Sequence, residues 1–249
     1  MNSPILELNQ VSLAASIGAD YLLRDISFTV KKKEKIAIVG ASGSGKTSLL
    51  RLLNYLVSPA IGELLYQGVP YPEQDILQIR KTMVLIPQEP KLLGMSGQDA
   101  LRYPLELQKL SRKEIDRRFA KYSDILQIPL AWLERDELTL SLGQRQLIAI
   151  ARGLMLEPKV LLLDEPTSAL DRRICDRLLT VLNQLNQHHQ VTILMVNHQL
   201  EISELFADRI FYLNSGKLAQ DLPASPENWQ QVEEQLRKTD QSLAEEWQD

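Results

Sequence analysis

Cysteine is nearly absent from this chain of 249 residues: Cys175 stands alone. A lone thiol excludes an internal disulfide and fits a reducing compartment. Long apolar runs are missing too, and nothing approaches the roughly 18 consecutive apolar residues a spanning helix needs. Any work at a membrane must therefore go through a partner. Residues 1–7 hold no basic cluster and no apolar core, so they do not read as a signal peptide. There is no excess of positive charge. The formal net charge is −4, which argues against a dedicated nucleic-acid surface. The acidity is uneven, because residues 227–249 carry seven acids and two bases and leave about +1 for the rest. Internal repeats and low-complexity segments are also lacking. The length suits one core with a built-in subdomain.

What is present begins at Gly40-Ala41-Ser42-Gly43-Ser44-Gly45-Lys46-Thr47. An apolar run, Ile36 to Val39, leads into it, and Ser48-Leu49-Leu50-Arg51 reads as a helix behind it. Strand, Gly-rich turn and helix together are the context in which G-x-x-x-x-G-K-[ST] identifies a phosphate-binding loop. Its glycines let successive N–H groups point at phosphate oxygens, and the helix adds its positive dipole end. Lys46 would reach the β/γ-phosphates and the Thr47 hydroxyl would bind Mg²⁺. A second aliphatic run, Val160 to Leu163, has the character of a strand buried on both faces. It ends in Asp164-Glu165 and is stopped by Pro166. Adjacent acids at the carboxyl end of a buried strand are costly without a positive partner, and ligands of open parallel sheets sit at that end. Asp164 would hold Mg²⁺ through its water shell, and Glu165 would take a proton from the water attacking the γ-phosphate.

Smaller signals follow in a fixed order. Gln88 succeeds Met83-Val84-Leu85-Ile86-Pro87; Ser141-Leu142-Gly143-Gln144 precedes a helical stretch; Ser168-Ala169-Leu170-Asp171 follows the acidic pair; His198 follows the strand Val191 to Val196. With these the chain resembles the ATP-binding cassette (ABC) family over nearly all of residues 5–220. The resemblance implies that Gln88 contacts Mg²⁺ and water while linking the ATPase core to a helical subdomain. It makes Ser141 to Gln144 the signature motif, Asp171 the D-loop aspartate and His198 the switch histidine against the γ-phosphate. It further implies a head-to-tail dimer, each ATP lying between one phosphate loop and the partner's Ser141, Gly143 and Gln144. With one cassette per chain and no long coiled-coil insert, the implied role is the ATPase subunit of a membrane transporter. That subunit would sit on the inner face of the cell membrane with a separate permease and a second copy. The stretch from Leu92 to Pro104 looks most like metal (iron-type) export ATPases, with phosphate or amino-acid importers as the alternative. The loop Glu89 to Met95, with Leu92 and Leu93, is expected to receive a short helix of the permease. A non-hydrolysing nucleotide sensor is the competing class, and no Asn-Lys-x-Asp segment supports a GTPase.

Two departures from the family pattern matter. Leu142 stands where the signature usually has glycine. If that position needs a left-handed backbone, leucine costs roughly 1–2 kcal/mol; otherwise only packing changes. Where an aromatic usually stacks on adenine the register puts Ala15; either Tyr21 swings under the base or the base has no aromatic partner.

The expected fold is α/β: a P-loop NTPase core with a mostly parallel sheet, N-terminal antiparallel strands and an inserted helical subdomain. Strands are expected at 5–11, 22–30, 63–67, 160–163 and 191–196, with a terminal hairpin at 209–213 and 217–220 turning at Asn214-Ser215-Gly216. Helices are expected at 98–108, 111–127, 144–156 and 171–187. One ATPase domain would cover 1–226, with its helical subdomain at about 91–156. Residues 227–249 would form an amphipathic helix, because Trp229, Val232, Leu236, Leu243 and Trp247 recur on one face. That helix either packs on its own domain or serves docking or dimer regulation.

Overall fold

Two kinds of strand sequence sort into two sheets in the computed structural model, which describes residues 3–15 and 20–246. The strands are β1 (Leu6–Ala14), β2 (Tyr21–Val30), β3 (Lys35–Val39), β4 (Ile61–Tyr66), β5 (Val69–Pro70), β6 (Met83–Ile86), β7 (Val160–Asp164), β8 (Thr192–Val196), β9 (Arg209–Asn214) and β10 (Lys217–Pro223). The helices are α1 (Lys46–Leu53), α2 (Ile76–Thr82), α3 (Gly97–Leu107), α4 (Arg112–Ile125), α5 (Leu130–Leu133), α6 (Leu142–Leu154), α7 (Arg172–His189), α8 (Leu200–Phe206) and α9 (Pro226–Glu246). In β1 and β2 buried residues mix with exposed ones, as in a sheet covered on one side. These strands join β4 and β5 in an antiparallel sheet of order β2-β1-β4-β5. Every residue of β7 and β8 is buried. They lie inside the second sheet, order β10-β9-β3-β8-β7-β6, parallel except for β10.

One core cluster fills the space between the two sheets, with Leu6, Ile26, Ile36, Ile38, Leu49 and Leu162 buried in it. A second joins the opposite face of β7 and β8 to the helical segment, through Leu92, Leu101, Ile148, Leu161 and Leu182. A third, smaller cluster lies under α9, where Trp229 and Val232 cover Ala37, Val39, Ile210 and Tyr212. The first half of α9 is thus packed against its own sheet. Of the apolar stripe read in the sequence, Trp247 and the side chain of Leu243 lie outside the described residues, as do Met1 and Asn2. No described helix is long and apolar enough to cross a membrane.

Candidate nucleotide site

Strand β3 delivers the phosphate loop at its carboxyl end, between β8 and β9. The loop closes on Gly45, which caps α1 with φ +101°, and a Cβ there would lie 2.8 Å from Leu23 Cδ2. Only glycine meets both conditions. Lys46 is buried, and its Nζ donates to the Gly40 and Ala41 carbonyl oxygens at 2.8 Å each. The Thr47 hydroxyl donates to Asp164 Oδ1 at 3.2 Å, joining α1 to the end of β7. Burial pushes the Asp164 carboxyl up, against the lowering effect of the Thr47 bond.

Glu165 follows in the left-handed region, φ +50°, and its N–H donates to the Val196 carbonyl at 2.9 Å. A non-glycine residue held there stores strain, a condition that clusters at functional sites. The result is aim. Glu165 Oε1 lies 2.6 Å from His198 Nε2, and Oε2 accepts from Gln88 Nε2 at 2.9 Å. Asn197 Nδ2 donates to Thr167 Oγ1 at 2.8 Å, tying the loop after β8 to the loop after β7. Gln88, Asp164, Glu165 and His198, which lie far apart in the sequence, are therefore drawn onto the phosphate loop. The cleft bordered by Gln88, Glu165 and His198 has a volume of about 430 Å³ and is also lined by Tyr21, Ser42, Gly43, Gly45, Lys46, Thr47 and Ser48, with Asp164 reaching it through its bond to Thr47. Tyr21 thus stands at the cleft, whereas Ala15 does not line it.

Two further lining residues, Ser215 and Gly216, escape sequence reasoning. The Asn214-Ser215-Gly216 turn is legible as a turn, but nothing local says that the Gly216 N–H donates to the Ser44 carbonyl at 3.2 Å.

Ser141, Gly143, Gln144 and Asp171 are not brought into this cleft. Ser141 caps α6 in a reciprocal box: its Oγ accepts from the Gln144 N–H at 3.3 Å, and Gln144 Oε1 accepts from the Ser141 N–H at 2.9 Å. Asp171 caps α7, accepting from the Ile174 N–H at 2.9 Å. Leu142 is the first residue of α6 and is absent from the positive-φ residues, so the strain open in the sequence does not arise. Its side chain is 49% exposed.

A groove of about 650 Å³ adjoins the cleft, sharing Thr47 and Gln88 with it and reaching Asp164, Leu93, Tyr103 and Leu107. The loop after Gln88 is pinned by Glu137, whose carboxylate accepts from the Leu92 N–H at 2.7 Å and the Gly94 N–H at 2.6 Å. Those backbone donors, Gly94 first, hold the Glu137 carboxyl below its usual range. Leu92 and Leu93 part company here. Leu93 is 64% exposed, but Leu92 is fully buried in the core. The expectation that both are available to a permease is corrected: Leu92 is a core residue, and of the pair only Leu93 is exposed.

Comparison with known proteins bears on this geometry. The family model described as ABC transporter matches residues 23–168. The molybdate/tungstate import ATP-binding protein WtpC of Pyrococcus abyssi is 37% identical over 212 residues, 82% of this chain and 60% of that protein. The methionine import ATP-binding protein MetN 1 of Rhodopseudomonas palustris is 36% identical over 205 residues, 80% of this chain and 54% of that protein. The chain thus spans little more than half the length of these two relatives. The dimeric ATP-binding cassette MJ0796, in a post-hydrolysis state bound to ADP and Pi, superimposes with a TM-score of 0.82 at 26% identity, over 88% of this chain and 99% of that one. This chain belongs to the ABC transporter family and has the fold of an ATP-binding cassette.

Proposed function

We propose that the chain is the ATP-hydrolysing subunit of a membrane transporter, working as a head-to-tail pair with a separate permease on the inner face of the membrane. The observation that carries the hydrolytic reading is the Glu165 carboxylate, held between His198 and Gln88 at the mouth of the phosphate-loop cleft. A carboxylate fixed at both oxygens is oriented to accept a proton from an attacking water. Backbone N–H groups of Ser42 to Thr47 and the Lys46 ammonium bind the phosphates, Tyr21 meets the base, and His198 faces the γ-phosphate. The oxygen pair Thr47–Asp164, with Gln88 beside it, suits Mg²⁺, which prefers a few hard oxygen ligands and keeps the rest as water and phosphate. Among the described residues no cluster of three or more His, Cys, Asp or Glu competes for a metal. When bound, Mg²⁺ would neutralise charge on the phosphates.

Ser141, Gly143, Gln144 and Asp171 serve the second copy's nucleotide. Their position outside the chain's own cleft supports that division, as does the dimeric ADP-bound cassette. The free N–H groups at the start of α6 favour an anion there. The groove beside Gln88 receives the permease, with Leu93, Tyr103 and Leu107 offering apolar contact. Export of a metal ion rests on the Leu92 to Pro104 stretch; import of an amino acid or oxyanion rests on the named relatives. Copurification of the permease decides between them.

Purified protein with Mg-ATP tests the hydrolytic reading. Removal of a general base by Glu165→Gln should cut turnover about 10²- to 10⁴-fold while ATP binding persists. Nucleotide binding without turnover in the unaltered protein would instead support a sensor.

A further inference from the structure

Helix α9 touches both the strand that ends in the phosphate loop and the segment that carries His198. In β3 the side chains alternate: Ile36 and Ile38 join the core between the sheets, whereas Ala37 and Val39 face α9. Val39 is the last residue before the loop, and it is buried with Trp229 and Val232. About one turn further along α9, Leu236 packs on the same cluster beside Leu200, the first residue of α8. A cavity of about 240 Å³ lies between Leu236, the Gly40–Ser42 arm of the loop and Asn197–His198. On the other flank of Leu236 is an open cleft of about 730 Å³, where His198 faces Glu233, Glu234 and Arg237. Leu236 is the residue of α9 that lines both spaces, together with Leu200 and His198 from the facing segment. Thr239, three residues on, hydrogen-bonds through its Oγ1 with the Tyr212 hydroxyl at 3.3 Å, fixing α9 to β9 beyond that point.

We propose that α9 is a brace of the nucleotide site and that Leu236 is a positioning residue, holding the back of the phosphate loop and the His198 segment in mutual register. Leu236 touches no reacting atom. It acts through His198, whose contact with Glu165 depends on where the loop after β8 lies. The cavities on both flanks leave room for movement that a close-packed residue would not have, so truncating Leu236 frees the segment instead of merely weakening the core. The inference rests on the hydrolytic reading and adds a residue that no motif contains.

The test is Leu236→Ala in the full chain, with Leu236→Met as the volume-conserving control and Leu236→Val as a milder truncation. Turnover should fall about tenfold in the alanine variant, given that a misplacement on the order of 1 Å costs up to about 10²-fold. The KM for ATP should change less than about twofold, and methionine should restore the rate, since Leu and Met exchange with little loss. Amide hydrogen exchange at Gly40–Ser42 and Asn197–His198 should quicken in the alanine and valine variants. A lowered melting temperature with unchanged turnover and exchange would reduce Leu236 to ordinary packing and overturn the proposal. Failure of the hydrolytic reading looks different: the unaltered protein and Glu165→Gln would then both lack turnover, and the exchange measurement would still decide about α9.

Discussion

The phosphate-loop cleft and the helical segment from Met95 to Leu154 are built on opposite principles. In the cleft, polar groups are buried and face one another: Lys46 and Asp164 are nearly inaccessible, and the Glu165 carboxylate lies between His198 and Gln88. In the helical segment Gln146 is buried, but the helix starts are held by polar groups at the surface. Ser96, Ser111 and Ser141 cap α3, α4 and α6. Glu114 and Glu157 meet Arg117 and Arg118 in a half-exposed network at the surface, with Arg118 its most shielded member. The difference teaches where each region is vulnerable. The cleft depends on long-range contacts that few substitutions spare; the helical segment is capped by local rules and, with the loop before it, leaves apolar residues such as Leu93 and Leu107 exposed.

The adjacent residues Leu92 and Leu93 give the sharpest contrast, since one is buried in the core under the helical segment and the other is exposed. Leu92→Asp should prevent stable folding, because an unpaired carboxylate in an apolar core costs several kcal/mol. Leu93→Asp should change unfolding free energy by about 0.5 kcal/mol or less, as exposed positions do, and leave ATPase intact. In the assembled transporter it should uncouple hydrolysis from transport. If denaturant titrations gave the two variants equal losses, the assignment of the groove to a permease would fail.

Gly143 tests whether the signature obeys local or long-range rules. By helix propensity alone, Gly143→Ala in α6 should gain about 1 kcal/mol. The structure reverses the sign, since a Cβ at Gly143 would lie 2.5 Å from the Ala169 carbonyl oxygen. Overpacking of this kind typically costs about 1–3 kcal/mol. Calorimetry should therefore show a lower melting temperature, by about 2–4 °C per kcal/mol for a chain of this size. A rise would mean that the start of α6 stands away from the loop before Asp171.

The same division explains what the sequence discloses. The phosphate loop, the acidic end of β7 and the helices α3, α4, α6 and α7 are legible because each is written in contiguous residues with a period or a cap. The short elements α2, α5 and α8 leave too few turns to show a period, and tertiary packing decides them. The approach of Ser215-Gly216 to the phosphate loop, and the separation of Leu92 from Leu93, depend on residues more than forty positions away: Ser44 in one case, Glu137 in the other. No local window contains that information. The left-handed φ of Glu165 is likewise unreadable, because it arises from the fit between the loops after β7 and β8.

The smallest effect belongs to the half-exposed surface network of the helical segment. Arg117 and then Arg118, by hydrogen-bonding its carboxylate, hold Glu114 down to about 2 from an ordinary 4.5. A carboxyl lowered on folding stabilises fully above its unfolded value and loses that contribution as pH falls through the folded one. The stability difference between the unaltered protein and Glu114→Gln should therefore stay constant from neutral pH down to about 5 and shrink only between about 4.5 and 2. Because the group is half-exposed and solvent reaches the pair, the difference should be slight and should fade in high salt. A large, salt-resistant gap would mean that Glu114 and its arginines form a buried scaffold, and the contrast between a cleft of buried polar groups and a surface-braced helical segment would not hold.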